Sequence, residues 1–212
     1  MLNWGGFCCL LRQSLYYLSQ TAIENQSGYV AMRKHNGMRP QDVVILLWMV
    51  TRGESPWKYA DASRDLHISQ SEVAEALHRS LQARLVNPGK KKVHRAALTE
   101  FLLHGLKYVF PASPGALVRG IPTAHSAPPL AAHIVSHDDV MVWPSSIGQL
   151  RGQAVSPLYP SVLQAIQKNQ DLYELLAVVD AIRTGRAHEL KIAEELLRER
   201  VYTHEYTTHQ HP

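Results

Sequence analysis

The chain has 212 residues, 45% of them apolar and 19% charged, with a formal net charge of +4. That length can bury a core, either as one large domain or as a small domain with an appendage, and that composition excludes a chain disordered throughout. The longest apolar run, Val43 to Val50, is eight residues, far short of the about 20 that a bilayer span needs.

No basic stretch precedes Phe7-Cys8-Cys9-Leu10-Leu11, as a secretory signal would require, so a cytoplasmic protein without a membrane partner is expected. The adjacent pair Cys8 and Cys9 are the only cysteines, which supports neither a disulfide framework nor a cysteine zinc site. The charge is unevenly placed. Residues 1–32 are neutral, residues 33–120 carry 14 Lys and Arg against seven Asp and Glu, and residues 121–212 carry seven against ten. A basic middle and an acidic C-terminal part suggest that the middle meets a polyanion while the rest does something else.

In chain order, residues 1–37 show no sustained period and read as a poorly structured leader, with Met32 and Met38 as alternative starts. From Pro40 the signals sharpen. Pro at a first helical turn, then Val43, Val44, Leu47 and Val50 on one face and Gly53 at the end, predict a first helix. Ser55-Pro56 opens a second helix over Trp57 to Leu66, with Tyr59, Ala62 and Leu66 inward. After the turn His67-Ile68, Ser69 and Glu72 form a Ser-x-x-Glu capping box for a third helix reaching about Arg84. Val73, Leu77 and Leu81 make its buried stripe, leaving Gln70, Ser71, Glu75, His78, Arg79 and Gln82 outward.

Asn87-Pro88-Gly89 with Lys90, Lys91 and Lys92 has the composition of a compact basic turn. Leu98, Phe101 and Leu102 predict a further helix over Arg95 to Gly105, and Lys107 to Phe110 reads as a short strand stopped by Pro111. Eight of the twelve prolines fall between Pro111 and Pro160, so no long helix is expected there. Interspersed Ile121, Leu130, Val140, Val142, Trp143, Leu158 and Tyr159 point to an ordered wrap with one or two short strands. Helices follow over Val162 to Gln167, Asp171 to Thr184 and Ala187 to Val201, and residues 202–212 read as a frayed tail.

The stretch WKYADASRDLHISQSEVAEALHRSLQARLV resembles the helix-turn-helix of winged-helix regulators of the MarR-like type. The likeness rests on Ala60 and Ala62 in the first helix, Leu66 before the turn, Ser69 opening the second helix, and the Val73, Leu77, Leu81 stripe ahead of Leu85-Val86. It covers about seventy residues, wing included. One departure is His67, where this motif most often has Gly, because a left-handed backbone there costs other residues up to about 1 to 2 kcal/mol.

The resemblance implies a winged helix over residues 38–111 that binds double-stranded DNA. Its second helix would enter the major groove, with Ser69, Gln70, Ser71, Glu75, His78, Arg79 and Gln82 as candidate contacts. Gln70 suits adenine, Arg79 guanine or the backbone, and Glu75 a cytosine amino group. Lys90, Lys91, Lys92 and Arg95 suit phosphates. Glu72 reads as a cap, and His78 as exposed filler as readily as a contact.

His125, His133 and His137, followed by Asp138 and Asp139, raise the question of a metal-dependent enzyme. The nearby prolines weaken the helix that spacing needs, and no Gly-rich phosphate loop or GxSxG elbow accompanies it. Neither an enzyme nor a metal or other cofactor is expected. The C-terminal helices could bury Leu172, Leu176, Val179 and Ile182 against a second copy, giving a homodimer with two recognition helices about 34 Å apart, or within their own chain.

The expected fold is α+β, mainly α: the winged helix, a Pro-rich extension over residues 112–160, and C-terminal helices over residues 161–201. The expected function is transcriptional regulation, as a repressor. The alternative is an antitoxin-like protein that neutralises a partner protein through its C-terminal half and autoregulates through the winged helix, an organisation similar to antitoxins paired with nucleotidyltransferase-type toxins.

Overall fold

The computed structural model describes residues 37–134, 140–184 and 187–203. The expected leader, but for Gly37, and the tail beyond Thr203 lie outside the described residues. The fold is α+β and mainly helical, with one small sheet, and no described helix is long and apolar enough to cross a membrane.

Helix α1, Pro40–Arg52, begins as its sequence dictates. Pro40 occupies the first turn, and the Asp42 carboxylate accepts a 2.9 Å hydrogen bond from the Arg39 backbone N–H. It ends at Gly53, whose φ of 56° favours glycine. Every residue from Asp42 to Val50 is buried, so α1 is covered all round and not on one face only. Helix α2 is Tyr59–Leu66 and α3 is Gln70–Gln82. Trp57, placed in a helix by its sequence, instead packs just before α2 with its ring edge-on to Trp48 at 5.2 Å.

The turn between α2 and α3 has His67 at φ 53°, ψ 41°, the left-handed conformation that the sequence motif demands of this position. The chain then passes through a hairpin whose single bridge pairs Val86 with Val93. Asn87 organises its loop by accepting from the N–H groups of Lys91 and Lys92, both at 3.0 Å. Helix α4, Arg95–Glu100, runs on through a π-helical turn, Phe101–Gly105, into α5, Leu106–Val109.

The segment expected as a strand over Lys107 to Phe110 is therefore helical as far as Val109. Leu98, Leu102, Leu103 and Leu106 are all buried, a spacing that only a helix brings to one face, and that burial overrides the strand preference of Tyr108-Val109-Phe110.

The Pro-rich extension holds three strands, one more than the upper expectation: β1 Leu117–Pro122, β2 Met141–Pro144 and β3 Leu150–Ala154. Strand β1 pairs antiparallel with β2 (Ile121 opposite Trp143) and with β3 (Arg119 opposite Arg151), while β2 and β3 run parallel through Met141 opposite Gln153. Each strand thus meets both others and the sheet closes on itself. Closing so few strands forces backbones together, and glycine stands at the crossing points. A Cβ on Gly120 would lie 2.1 Å from the Trp143 carbonyl oxygen, and one on Gly148 would lie 2.0 Å from the carbonyl carbon of Gly120.

Helix α6, Val162–Ala165, continues as a 3-10 turn, Ile166–Lys168, and leads to α7, Gln170–Thr184, and α8, Ala187–Thr203. Asn169 caps α7 by accepting from the Leu172 N–H at 2.9 Å. Leu172, Leu176, Val179 and Ile182 are buried within the chain and belong to the same core as α1 and α3. Of the two arrangements open from sequence, burial inside the monomer is the one found, and these side chains are not free to form a dimer interface.

A buried polar hub joins the parts. The Asp180 carboxylate accepts from Thr123 Oγ1 (2.9 Å), Trp143 Nε1 (2.6 Å) and Arg183 Nη1 (2.6 Å). Arg183 in turn donates to the carbonyls of Phe110 and Ser156. One ion pair therefore links the end of α5, the sheet and α7. Burial pushes the Asp180 carboxyl up, and its three donors oppose that rise.

Gly148→Ala is expected to lower unfolding stability by about 1 to 3 kcal/mol through overpacking. Gly89→Ala, whose Cβ would meet nothing nearer than 3.6 Å, should leave it within about 0.5 kcal/mol. Urea unfolding of both variants checks this, and equal effects would contradict the proposed closeness of the strands.

Candidate nucleic-acid interface

Helix α3 is positioned from both ends. At its start, Ser69 Oγ accepts the Glu72 N–H at 3.2 Å, half of the capping box read from the sequence. The other half is not made. The Glu72 carboxylate turns to the N-terminus of α1 and to its own helix instead, accepting from Gln41 Nε2 at 3.1 Å and Arg79 Nη2 at 2.6 Å, with Arg39 Nη1 at 3.7 Å.

Arg79 lies on the packed side of α3, which corrects the outward placement expected for it. Its side chain is 5% exposed, and it makes a two-pronged contact with the wholly buried Asp42, Nε to Oδ2 at 2.8 Å and Nη2 to Oδ1 at 2.7 Å. The physical reason is that a buried carboxylate on the all-round buried α1 needs a cation, and α3 supplies it from two turns beyond Glu72. The hydrogen bond to Asp42 holds the Arg79 guanidinium firmly protonated against the opposing effect of burial. Arg79 is thus a strut between α1 and α3, with Nε and Nη2 engaged and its side chain turned away from solvent.

Burial raises the Glu72 carboxyl, but the hydrogen bonds from Arg79 and Gln41 outweigh it, so Glu72 is held below the ordinary carboxylate range. A depressed carboxylate contributes stability that is present above its unfolded value and lost as pH falls through the folded one.

The remaining sequence-predicted α3 residues are brought together on one exposed side: Ser69, Gln70, Ser71, Glu75, His78 and Gln82. Ser69 and Ser71 hydroxyls lie 3.1 Å apart, and His78 Nε2 lies 3.4 Å from Gln82 Nε2. This face offers hydroxyl and amide donors and acceptors, one imidazole and one carboxylate. No cation projects from it, because the one arginine of α3 is turned inward.

The expected phosphate contacts divide. Lys91 folds back onto the protein, its Nζ 4.0 Å from the Trp57 ring centroid, 5.0 Å from that of Tyr59, and 2.9 Å from the Trp57 carbonyl oxygen. Lys92 pairs with Glu54 at 2.6 Å, though both side chains stay more than half exposed. Arg95 is turned towards the end of α8, where it donates to the Val201 carbonyl, so the phosphate role expected of it is corrected to closing a helix terminus.

Lys90 keeps a half-buried position at φ 55°, and no ion pair of Lys90 occurs among the described residues. Sequence reasoning passed over two further exposed cations beside α3, Lys58 just before α2 and Arg84 just after α3. Their positions flanking the two helices were the available signal.

The histidine constellation is described only in part. His125 is buried with Nδ1 3.1 Å from Glu189 Oε1, His133 is exposed, and His137 lies outside the described residues. Among the described residues no group of three or more His, Cys, Asp or Glu side chains is arranged to hold a metal ion. Comparison of the chain with family models, with curated proteins and with solved structures gave no match.

Removing Arg79 leaves Asp42 as an unpaired buried charge, so Arg79→Met is expected to cost about 3 to 5 kcal/mol in thermal or urea unfolding. Glu72→Gln should flatten the loss of stability as pH falls below about 4.3. A fully stable Arg79→Met protein would contradict the strut role.

Proposed function

We propose that this chain binds double-stranded DNA in a sequence-specific manner and acts as a transcriptional regulator through the helix-turn-helix α2–α3. The observation that carries this reading is the division of α3 into two sides. One side is locked to α1 by the Asp42–Arg79–Glu72 contacts, and the other presents Gln70, Ser71, Glu75, His78 and Gln82 to solvent. A helix held rigidly by its back with hydrogen-bonding groups on its front suits reading of base edges in a major groove.

Gln70 and Ser71 sit in the first turn of α3, where a recognition helix meets bases. Lys58, Arg84 and Lys90 supply backbone charge beside it, and Lys92 can exchange Glu54 for a phosphate at little cost, because an exposed pair contributes only about 0 to 1 kcal/mol. The concentration of basic charge in residues 33–120 supports the same partner.

A second reading, capture of a partner protein by the C-terminal half in the manner of an antitoxin, is favoured by one observation. Leu117, Ile147 and Leu150, on or beside the small sheet, are 62%, 61% and 45% exposed, apolar side chains that a protein partner would cover.

The DNA-binding reading is tested in a fluorescence-anisotropy titration of the protein against its own upstream DNA and a scrambled duplex at two salt concentrations. The regulator reading expects preference for its own DNA, a loss of about 1 to 3 kcal/mol of that preference in Gln70→Ala, and a salt slope reduced by about 1 in Lys90→Ala. Failure of both duplexes to bind at low salt would overturn it.

A further inference from the structure

A cavity of about 300 Å³ lies behind the helix-turn-helix, where the end of α1, the α2–α3 turn and the 3-10 segment before α7 meet. It is a built feature. Ser161 Oγ donates to the Leu66 carbonyl at 2.6 Å, and Asn169 Nδ2 donates to Thr51 Oγ1 at 3.3 Å, so its walls are tied together across about a hundred residues of sequence.

Its lining is rich in donors and cations. Arg52 comes from the end of α1, Lys168 from the 3-10 segment, His67 from the turn and Gln164 from α6, while Trp48 contributes an apolar side. The lining carboxylate, Asp65, is engaged by Arg64 at 3.2 Å, and no ion pair of Arg52 or Lys168 occurs among the described residues. The Arg52 guanidinium sits 5.6 Å from the Trp48 ring centroid, and its Nε is buried without a hydrogen-bond partner. A guanidinium with no ion-pair partner among the described residues is a ready partner for an anionic oxygen in the cavity.

We propose that this cavity is a binding site for a small phosphorylated metabolite, its phosphoryl oxygens held by Arg52 and Lys168 with His67 and Gln164 as further donors. A phosphoryl group fits better than a single carboxylate, because donors arrive from several directions and suit a tetrahedral set of acceptors. The volume is at the lower end for small-molecule sites and limits the occupant to a compact molecule. Bound there, it would bridge the helix-turn-helix turn and the connector into α7. The proposal stands independently of the DNA-binding reading, since its test contains no DNA.

The test is a thermal-unfolding series of the full chain at constant pH and ionic strength, with inorganic phosphate replacing chloride, and succinate replacing chloride in a parallel series. The structure predicts a saturable rise in Tm with phosphate, about 3 to 6 °C at ten times the Kd, and a smaller rise with succinate. In Lys168→Gln, whose exposed side chain supports no other contact, the ion-free Tm should be unchanged and the phosphate rise at least halved. No rise with phosphate, a rise as large with succinate, or an undiminished rise in Lys168→Gln would each overturn the proposal.

Discussion

A helix buried on every side must be surrounded, and α1 imposes that condition on the whole described chain. Its residues Val43 to Val50 form an unbroken buried apolar run. One side is covered by α3 and α2, and α7 packs against it from elsewhere in the core. Helices α2 and α3 therefore cannot cover α1 without the C-terminal helices. That dependence explains why Leu172, Leu176, Val179 and Ile182 face inwards, and why the part read as an appendage shares a core with the part read as the DNA-binding domain.

The same constraint creates the need for Arg79. Asp42 caps the start of α1 and is carried into the interior with it, where an uncompensated carboxylate is far too costly. Arg79 compensates it and Glu72 collects the spare donors, so the polar contacts that orient α3 follow from the burial of α1. Asp180 and Arg183 repeat the device on the opposite flank, coupling α7 to the sheet and to the end of α5. The outward face of α3 stays exposed, with Gln70, Ser71, Glu75, His78 and Gln82 at the surface.

Much of this was legible in the sequence, and the failures share a cause. Local signals were reliable: Pro40 and Gly53 bracket α1, Ser69 caps α3, and His67 takes the left-handed turn demanded by its place in the motif. What depended on distant partners was not legible. Arg79 looks outward on a helical wheel until Asp42, 37 residues earlier, is brought beneath it. Arg95 looks like a phosphate ligand until the end of α8 arrives. Lys107 to Phe110 has the composition of a strand, and only the continuing burial of Leu102 and Leu106 makes it helix as far as Val109. The closed three-stranded sheet was foreshadowed by little beyond scattered apolar residues among prolines, because its glycines report a close approach only once the approaching strand is known.

The most direct test of the account is hydrogen–deuterium exchange of the full chain with and without a duplex of its own upstream DNA. The account predicts that added DNA slows exchange at the N-terminal half of α3 and in the loop from Asn87 to Lys92, with α1 protected in both states by its complete burial. Unchanged exchange in α3, or slowing confined to the sheet around Leu117 and Leu150, would contradict it and assign the functional surface to the other half of the molecule.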